Sequence, residues 1–447
     1  MNVLFVSLGC DKNLVDSEYM LGMLRDRGYT FTDDETEADV IIINSCCFIL
    51  DAKEESINTI IEMAAYRTDE SERCRALIVT GCLAQRYADE IRSEIPEVDA
   101  VIGATAYDEI GEVLDRVLKG EYVKEIQSID RLVLSDSNRI ITTGGYYSYL
   151  KIAEGCSKHC TYCIIPQLRG HYRSVPMERL IKEATFLAGK GVKELILVAQ
   201  ETTVYGVDLY GEKRLPLLLK ELCRIEGIEW IRIMYCYPEE ITDELIDVIS
   251  EEPKICHYID MPIQHASDTI LKRMGRHTGR SELTTTIKKL RDRIPDIALR
   301  TTLITGFPGE NDDDQKVLLD FVEEMKFERL GVFAYSAEEG TAAAEMTGQI
   351  SEELKNKRRD EVMELQQDIA FEHARKMTGL KLEVIIEGRL VDDDVYVART
   401  YMDAPGIDGV LFLKSDRELM SGDMVSVRVT GANEYDLIGE LCDESAK

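Results

Sequence analysis

Cys156-Ser157-Lys158-His159-Cys160-Thr161-Tyr162-Cys163 follows an apolar run, Tyr149 to Ala153, and sits just past Gly155. Three thiols at spacings of four and three can hold three irons of a four-iron, four-sulfur cluster and leave the fourth iron without a protein ligand. An open iron can bind and activate a small molecule, as the open position of a catalytic zinc does. Cysteines also serve as plain core residues. Here Lys158, His159 and Thr161 are polar neighbours and Gly155 and Pro166 bracket a loop. Close, loop-borne cysteines in an intracellular chain point to metal before packing.

Outward from that loop, apolar runs recur at Tyr149–Ala153, Glu194–Ala199, Trp230–Tyr235, Tyr258–Met261, Ala298–Thr305 and Arg329–Ala334, most of them separated by helix-like stretches such as Met177–Lys190 and Thr242–Glu251. Six strand–helix repeats predict an incomplete (β/α)6 barrel over residues 141–375, with its active face at the carboxyl ends of the strands. Gln200-Glu201-Thr202, Tyr237-Pro238 and Gln264-His265 fall at those ends. So does Thr305-Gly306-Phe307-Pro308-Gly309, whose glycines would let backbone approach a ligand. An ordinary turn accounts for that pattern equally well, and His265 reads as a satisfied barrel histidine. Ser351 to Met377 reads as a capped helix with an apolar stripe at Val362, Leu365 and Ile369. Its Lys355, Lys357, Arg358 and Arg359 read first as a solvated face and second as an RNA contact.

Before the barrel, residues 1–140 carry three strands apolar on both faces, Val3–Leu8, Val40–Ile43 and Ala76–Val79, alternating with helix-like stretches at Asp16–Arg27 and Ala52–Tyr66. That alternation predicts an N-terminal parallel α/β sheet covered on both sides. Cys10, Cys46 and Cys82 each stand just past the carboxyl end of one strand, where ligands gather in such sheets. Three thiols far apart in sequence would therefore meet at one edge and hold a second cluster. Cys47 and Cys74 read as structural. After the barrel, short alternating runs from Lys381 to Leu441 predict a small β-barrel, with residues 376–447 as the third domain. From residue 378 onward it holds 7 basic and 15 acidic residues, including Asp392-Asp393-Asp394.

The 447-residue chain is 45% hydrophobic and 31% charged, with 84 acidic against 53 basic residues and a net charge of −31. Such a surface repels phosphate backbones and attracts a strongly basic partner. No apolar run is long enough to span a bilayer, and MNVLFVSLGCDKN reads as a strand with no leader, so a cytoplasmic location is expected. Twelve cysteines in a reducing compartment point to metal or catalysis.

The three-cysteine loop, with Tyr162 before its last cysteine, resembles the signature of radical S-adenosylmethionine (SAM) enzymes. With Gly9-Cys10, Asn44-Ser45-Cys46, Gly81-Cys82 and a TRAM-like β-barrel added, the whole chain resembles the radical SAM methylthiotransferases. Ser7-Leu8-Gly9-Cys10-Asp11-Lys12-Asn13, Pro262-Ile263-Gln264-His265 and Arg399-Thr400-Tyr401-Met402-Asp403-Ala404-Pro405 are similar to the branch that modifies ribosomal protein S-twelve. The sister branch modifies adenosine in tRNA. One departure is Thr302, where many relatives carry the first glycine of a glycine-rich pattern.

The resemblance implies two [4Fe-4S] clusters, on Cys10, Cys46 and Cys82 and on Cys156, Cys160 and Cys163, together with SAM. Tyr162, Gln200, Ile304, Gly306 and Gly309 are the implied SAM neighbours. The implied substrate is the β-carbon of an aspartate in a strongly basic protein, free or within the small ribosomal subunit. Its hydrogens are not acidic enough for a side-chain base, so a 5′-deoxyadenosyl radical would abstract one and the second cluster would deliver the methylthio group. An external low-potential donor such as flavodoxin or ferredoxin is implied, and no membrane. Two alternatives remain at this point: a tRNA methylthiotransferase, and a non-catalytic iron–sulfur carrier or scaffold. Carriers normally ligate every iron, whereas each set here has three cysteines.

Overall fold

Unbroken apolar runs form the strands of two parallel sheets, because helices cover both faces and no face needs to be polar. The computed structural model describes residues 1–68, 73–390 and 394–442. The N-terminal sheet holds β1 (Asn2–Ser7), β2 (Thr30–Thr32), β3 (Val40–Ser45), β4 (Ala76–Gly81), β5 (Ala100–Gly103) and β6 (Val123–Glu125), in the order β2-β1-β3-β4-β5-β6. β3 and β4 are buried along their whole length. Only β1, β3 and β4 were legible as strands. β2, β5 and β6 are three or four residues long, too short to carry a periodic signal.

Helices α1 (Asp11–Asp26), α2 (Leu50–Thr68), α3 (Cys82–Arg86), α4 (Ala88–Glu94) and α5 (Ile110–Val117) connect and cover these strands. α1 begins at Asp11, earlier than the expected Asp16, with Cys10 in the N-cap position. Its first turn is polar yet buried at Lys12 and Asn13, because the next domain packs on it, and that burial is invisible to a hydrophobic pattern.

The central sheet is formed by β7 (Tyr147–Lys151), β10 (Glu194–Val198), β11 (Trp230–Ile233), β12 (Ile255–Asp260), β13 (Ala298–Thr305) and β14 (Arg329–Ala334). All six run parallel in the order β14-β13-β12-β11-β10-β7, the incomplete barrel expected. The expected first strand instead divides into β7 and β8 (Ala153–Glu154). β8 turns away to pair antiparallel with β9 (Arg173–Ser174), closing the neck of the cysteine loop. Helix α6 (Ile165–Arg169) follows that loop directly.

The third domain is a closed barrel of β15 (Lys381–Arg389), β16 (Val395–Thr400), β17 (Leu411–Lys414), β18 (Met424–Asn433) and β19 (Asp436–Leu441), ordered β15-β16-β17-β19-β18. Asp392 and Asp393 of the acidic cluster and Lys447 lie outside the described residues. The barrel shares a core with the central sheet: Val384, Ile386, Leu411 and Val427 pack with Ile196, Val198, Trp230 and Tyr258.

The Arg399–Pro405 stretch fastens this contact. Arg399 donates to Glu194 at 2.5 Å and to Glu387 at 2.9 Å, and Arg232 holds the other Glu194 oxygen at 2.8 Å. Glu194, Arg232 and Arg399 are all buried. Arg329 pairs with Asp403, and Tyr401 donates to the Asp296 carbonyl at 2.8 Å. A stretch used above for its resemblance is therefore an interdomain clasp.

The helix Glu352–Lys376 is capped by Ser351, whose Oγ accepts from Leu354 N at 3.4 Å. Its cations do not form one basic face, which corrects the solvated-patch expectation and removes half of the RNA surface it offered. Lys355 and Arg358 are buried. Lys355 donates to the Tyr335 carbonyl at 2.9 Å and Arg358 pairs with Glu310 at 3.0 Å. Positions three apart share a helix face, and here that face lies against the sheet.

Replacing Arg399 with Met should cost about 3 kcal/mol, because removing one partner of a buried ion pair strands the charge left behind. The expected readouts are a lower denaturant midpoint and faster proteolytic release of the C-terminal barrel. An unchanged midpoint would remove the clasp from the account of stability.

Candidate functional site

β1, β3 and β4 are neighbours and parallel, so their carboxyl ends meet at one edge. Cys10 follows β1 and caps α1, Cys46 follows β3, and Cys82 opens α3 after β4. Two glycines let these ends crowd together. A Cβ on Gly9 (φ +87°) would stand 2.7 Å from Cys46 Cβ, and one on Gly81 (φ +94°) would stand 2.4 Å from the Ser45 carbonyl oxygen. Asn13 ties the ends into one unit. Its Nδ2 donates to the carbonyls of Leu8 and Ser45, each at 3.2 Å, and its Oδ1 lies 4.0 Å from Cys82 Sγ. Cys46 and Cys82 are buried while Cys10 is exposed, so the triad opens on the Cys10 side. Burial and the neighbouring Cys82 push the Cys46 thiol up to about 12. A bound metal reverses such a shift by stabilising thiolate. Cys47 and Cys74 are buried in the adjacent core, in the cluster that Cys82 also joins.

The second set stands at the mouth of the central sheet. Thr161 N donates to the Met274 carbonyl at 2.9 Å and its carbonyl accepts from Ala343 N at 2.8 Å, pinning the loop to two others. Cys160 Sγ is 3.4 Å from Tyr237 Oη. Burial raises the Cys156 thiol to about 11 and the Cys163 thiol to about 12, with the other cysteines of the loop adding to each shift. Among the described residues no three His, Cys, Asp or Glu side chains converge closely enough to hold a single metal ion.

Arg169, at the end of the helix that follows the cysteine loop, reaches the first set. Its Nε is 3.3 Å from Cys82 Sγ, its Nη1 reaches Asp16 at 2.9 Å and Glu154 at 3.3 Å, and its Nη2 bonds Asn13. Lys151 pairs with the same two carboxylates, at 2.8 Å to Glu154. Asp16, Glu154 and Arg169 are buried, the Lys151 side chain is 9% exposed, and the four charges sum to zero. Burial works against Glu154 ionising, yet Lys151 and Arg169 hold its carboxyl far below the usual range. A second bridge stands beside Cys10, where Lys12 Nζ lies 3.3 Å from the Tyr235 ring centroid. Tyr235 follows β11 in a left-handed conformation (φ +60°), which is costly for a bulky residue and clusters at functional sites.

The residues expected around SAM fall at the same mouth. Tyr162 and Ile304 pack against one small apolar cluster, with Met274, Phe307 and Tyr335. Gln200 Nε2 donates to Glu154 at 2.9 Å, while its buried Oε1 has no partner. Gly306 and Gly309 approach protein instead of open space: a Cβ would meet Lys355 at 2.3 Å and Arg273 at 2.9 Å, respectively. Their glycines make room for the chain's own side chains. His265 is fully buried and only half satisfied: its Nδ1 accepts from Ser267 N at 2.9 Å, while its Nε2 has no hydrogen-bond partner and lies 3.6 Å from Glu310 Oε2.

Sequence reasoning missed Arg169 and Arg276, named Asn13 only within a resemblance motif, and named Glu201 only as a polar residue at a strand end. Arg276 stacks 4.2 Å from the Tyr237 centroid beside the cysteine loop, with its buried Nε and Nη1 unpaired. Glu201 is buried with Oε2 unpaired, and its position directly after Gln200 was the one available signal. Unpaired buried groups are rare in native proteins. A cation and a carboxylate left open beside the loop fit the carboxylate and ammonium of an amino-acid ligand.

Residues 2–103 match the model of the uncharacterized protein family UPF0004, residues 150–322 that of the radical SAM superfamily, and residues 378–442 that of the TRAM domain. The ribosomal protein uS12 methylthiotransferase RimO of Lachnoclostridium phytofermentans is 65% identical over 439 residues, covering 98% of this chain and 99% of that one. The protein of the same name from Clostridioides difficile is 50% identical over the full length of both. This chain belongs to the RimO family of radical SAM methylthiotransferases. Its fold is shared more widely. The radical SAM methyltransferase TsrM from Kitasatospora setae, solved with cobalamin and a [4Fe-4S] cluster, aligns with a TM-score of 0.53 at 13% identity, over 74% of each chain. The radical SAM enzyme OxsB, solved with aqua-cobalamin and SAM, aligns at 0.51 and 15%, over 82% of this chain and 56% of that one. Among the described residues no helix is long and apolar enough to cross a membrane.

Burial raises the Glu201 carboxyl from 4.5 to about 7, with Thr203 and Lys158 opposing the shift. Between those values the folded state keeps a proton that the unfolded chain releases, so stability falls as pH rises through the window, and the deficit is complete above it. The shift corresponds to about 3 kcal/mol at most. Glu201→Gln should therefore stabilise the cluster-free protein above pH 7 and have little effect near pH 4.5, while weakening SAM binding in calorimetry. A stability difference independent of pH would withdraw the assignment.

Proposed function

We propose that this enzyme methylthiolates the β-carbon of an aspartate in ribosomal protein uS12, using two [4Fe-4S] clusters. Cys156, Cys160 and Cys163 would hold the cluster that engages SAM, and Cys10, Cys46 and Cys82 the cluster that carries sulfur. The observation that supports this most is the bridge Cys82–Arg169–Glu154–Gln200, which runs from the first cysteine set to the strand end that flanks the second set's loop. The Cys156–Cys163 loop has no fourth cysteine beside it in the sequence, which favours an open iron there over the closed ligation of a carrier, and beside Cys46 stands only Cys47, buried in the core. When bound, the clusters and SAM supply the one-electron chemistry and the sulfur that substitution at an unactivated carbon requires.

The chain's own side chains have narrower tasks. Arg276 and Glu201 would orient the amino-acid end of SAM, and Tyr162, Gln200 and Ile304 would pack around the rest. Gly306 and Gly309 would shape the turn behind it. Arg169 would place a fixed positive charge beside the thiolate of Cys82, lowering the cost of assembling a negative cluster in a buried site. The division of labour follows the three segments 1–140, 141–375 and 376–447. An external low-potential donor such as flavodoxin or ferredoxin would supply electrons, and the reaction would take place in the cytoplasm, on free or assembling uS12. A tRNA substrate gains nothing from the geometry, since Lys355 and Arg358 are buried.

Mass spectrometry of uS12 from cells lacking this enzyme should show loss of a methylthio-aspartate, and its persistence would refute the assignment. In reconstituted protein, Cys→Ala at position 156, 160 or 163 should abolish reductive SAM cleavage. The same change at position 10, 46 or 82 should leave SAM cleavage in place and abolish methylthiolation. Loss of cleavage in both groups would collapse the two proposed roles into one.

A further inference from the structure

The N-terminal domain carries an apolar stripe that its own core does not use. Leu50, Ile57 and Ile61 on α2 are 48%, 37% and 55% exposed, and Phe48, just before the helix, is 44% exposed. Their spacing places Leu50, Ile57 and Ile61 on one side of the helix. Ile57 and Ile61 wall a groove of about 830 Å³ between α2 and α4, floored by Ala64, Leu83 and Ile91. Its rim is acidic: Glu90, Glu94 and Glu97 stand on one side and Glu339 closes one end. Lys53 is the one cation of the lining among the described residues.

The groove is continuous with the site. Leu83 in its floor follows Cys82, and the stripe itself starts at Leu50, with Phe48 between it and Cys46 in the sequence. Glu339 lies in the loop after β14, at the mouth of the central sheet, where its carboxylate accepts from Tyr87 Oη at 3.1 Å. A macromolecule that presents one side chain to the cysteine sets has this groove within reach.

We infer that the α2–α4 groove docks a basic segment of the substrate protein, one that carries apolar side chains between its cations. This rests on the function proposed above and names the surface that recognises the substrate. The choice of occupant follows from charge. An acidic rim repels a phosphate backbone, and a second copy of a chain with net charge −31 is repelled as well. A basic segment is attracted by the rim, and its apolar side chains bury against Ile57 and Ile61.

The test uses the full-length, cluster-reconstituted enzyme and purified uS12. The triple variant Ile61→Arg, Glu90→Lys, Glu94→Lys changes exposed positions only. It should raise KM for uS12 about tenfold or more through lost steering and contact, with kcat and substrate-free SAM cleavage held within about twofold. A photo-crosslinker at position 57 should capture a lysine- or arginine-rich uS12 peptide. Unchanged KM, or crosslinks only to a second copy or to the electron donor, would overturn the inference. If the wild-type enzyme leaves uS12 unmodified, the proposed function fails instead. Direct binding of uS12 to wild type and triple variant then judges the groove by itself, and equal affinities would overturn it.

Discussion

One buried guanidinium holds the working parts of this protein in register. From the central domain, Arg169 touches Cys82, Asn13 and Asp16 of the first domain across the seam, and Glu154 of its own. A guanidinium so deep is tolerated only because its partners satisfy it, and removing Asp16 or Glu154 leaves an uncompensated charge. That requirement makes the relative position of the two cysteine sets a consequence of electrostatics as much as of packing. Lys151 completes the balance, and Lys12 against Tyr235 repeats the device on the Cys10 side.

The same logic fixes the far end of the central sheet. Glu194, Arg232 and Arg399 form a fully buried ionic cluster where the C-terminal barrel meets the strands. The barrel thereby shares a core with the catalytic domain and is not tethered by its linker alone. With one domain clamped at each side, the mouth of the central sheet is left for small-molecule and substrate chemistry. The unpaired groups of Arg276, Glu201 and Gln200 gather there.

Much of this was legible because the signals were local. The cysteine loop, the apolar runs of both parallel sheets and the alternating runs of the small barrel each declare themselves within a few residues. Short strands such as β2 and β6 carry too little pattern to be seen. The basic run Lys355–Arg359 misled because a list of charges does not say which side of a helix faces protein. Gly306 and Gly309 suggested a ligand cradle, whereas the close neighbours are Lys355 and Arg273.

The sequence by itself determined the main element types and the three-part organisation and singled out six candidate cysteines, because each depends on residue type and on position relative to neighbouring elements. The tertiary structure alone decided how those cysteines are supported. Arg169 reaches Cys82 from 87 residues away, and Arg399 reaches Glu194 from 205. Neither contact has a sequence period, since its energy exists only once both partners have left water. The Cys156–Cys163 loop states the chemistry, and the buried charges behind it determine what that chemistry faces.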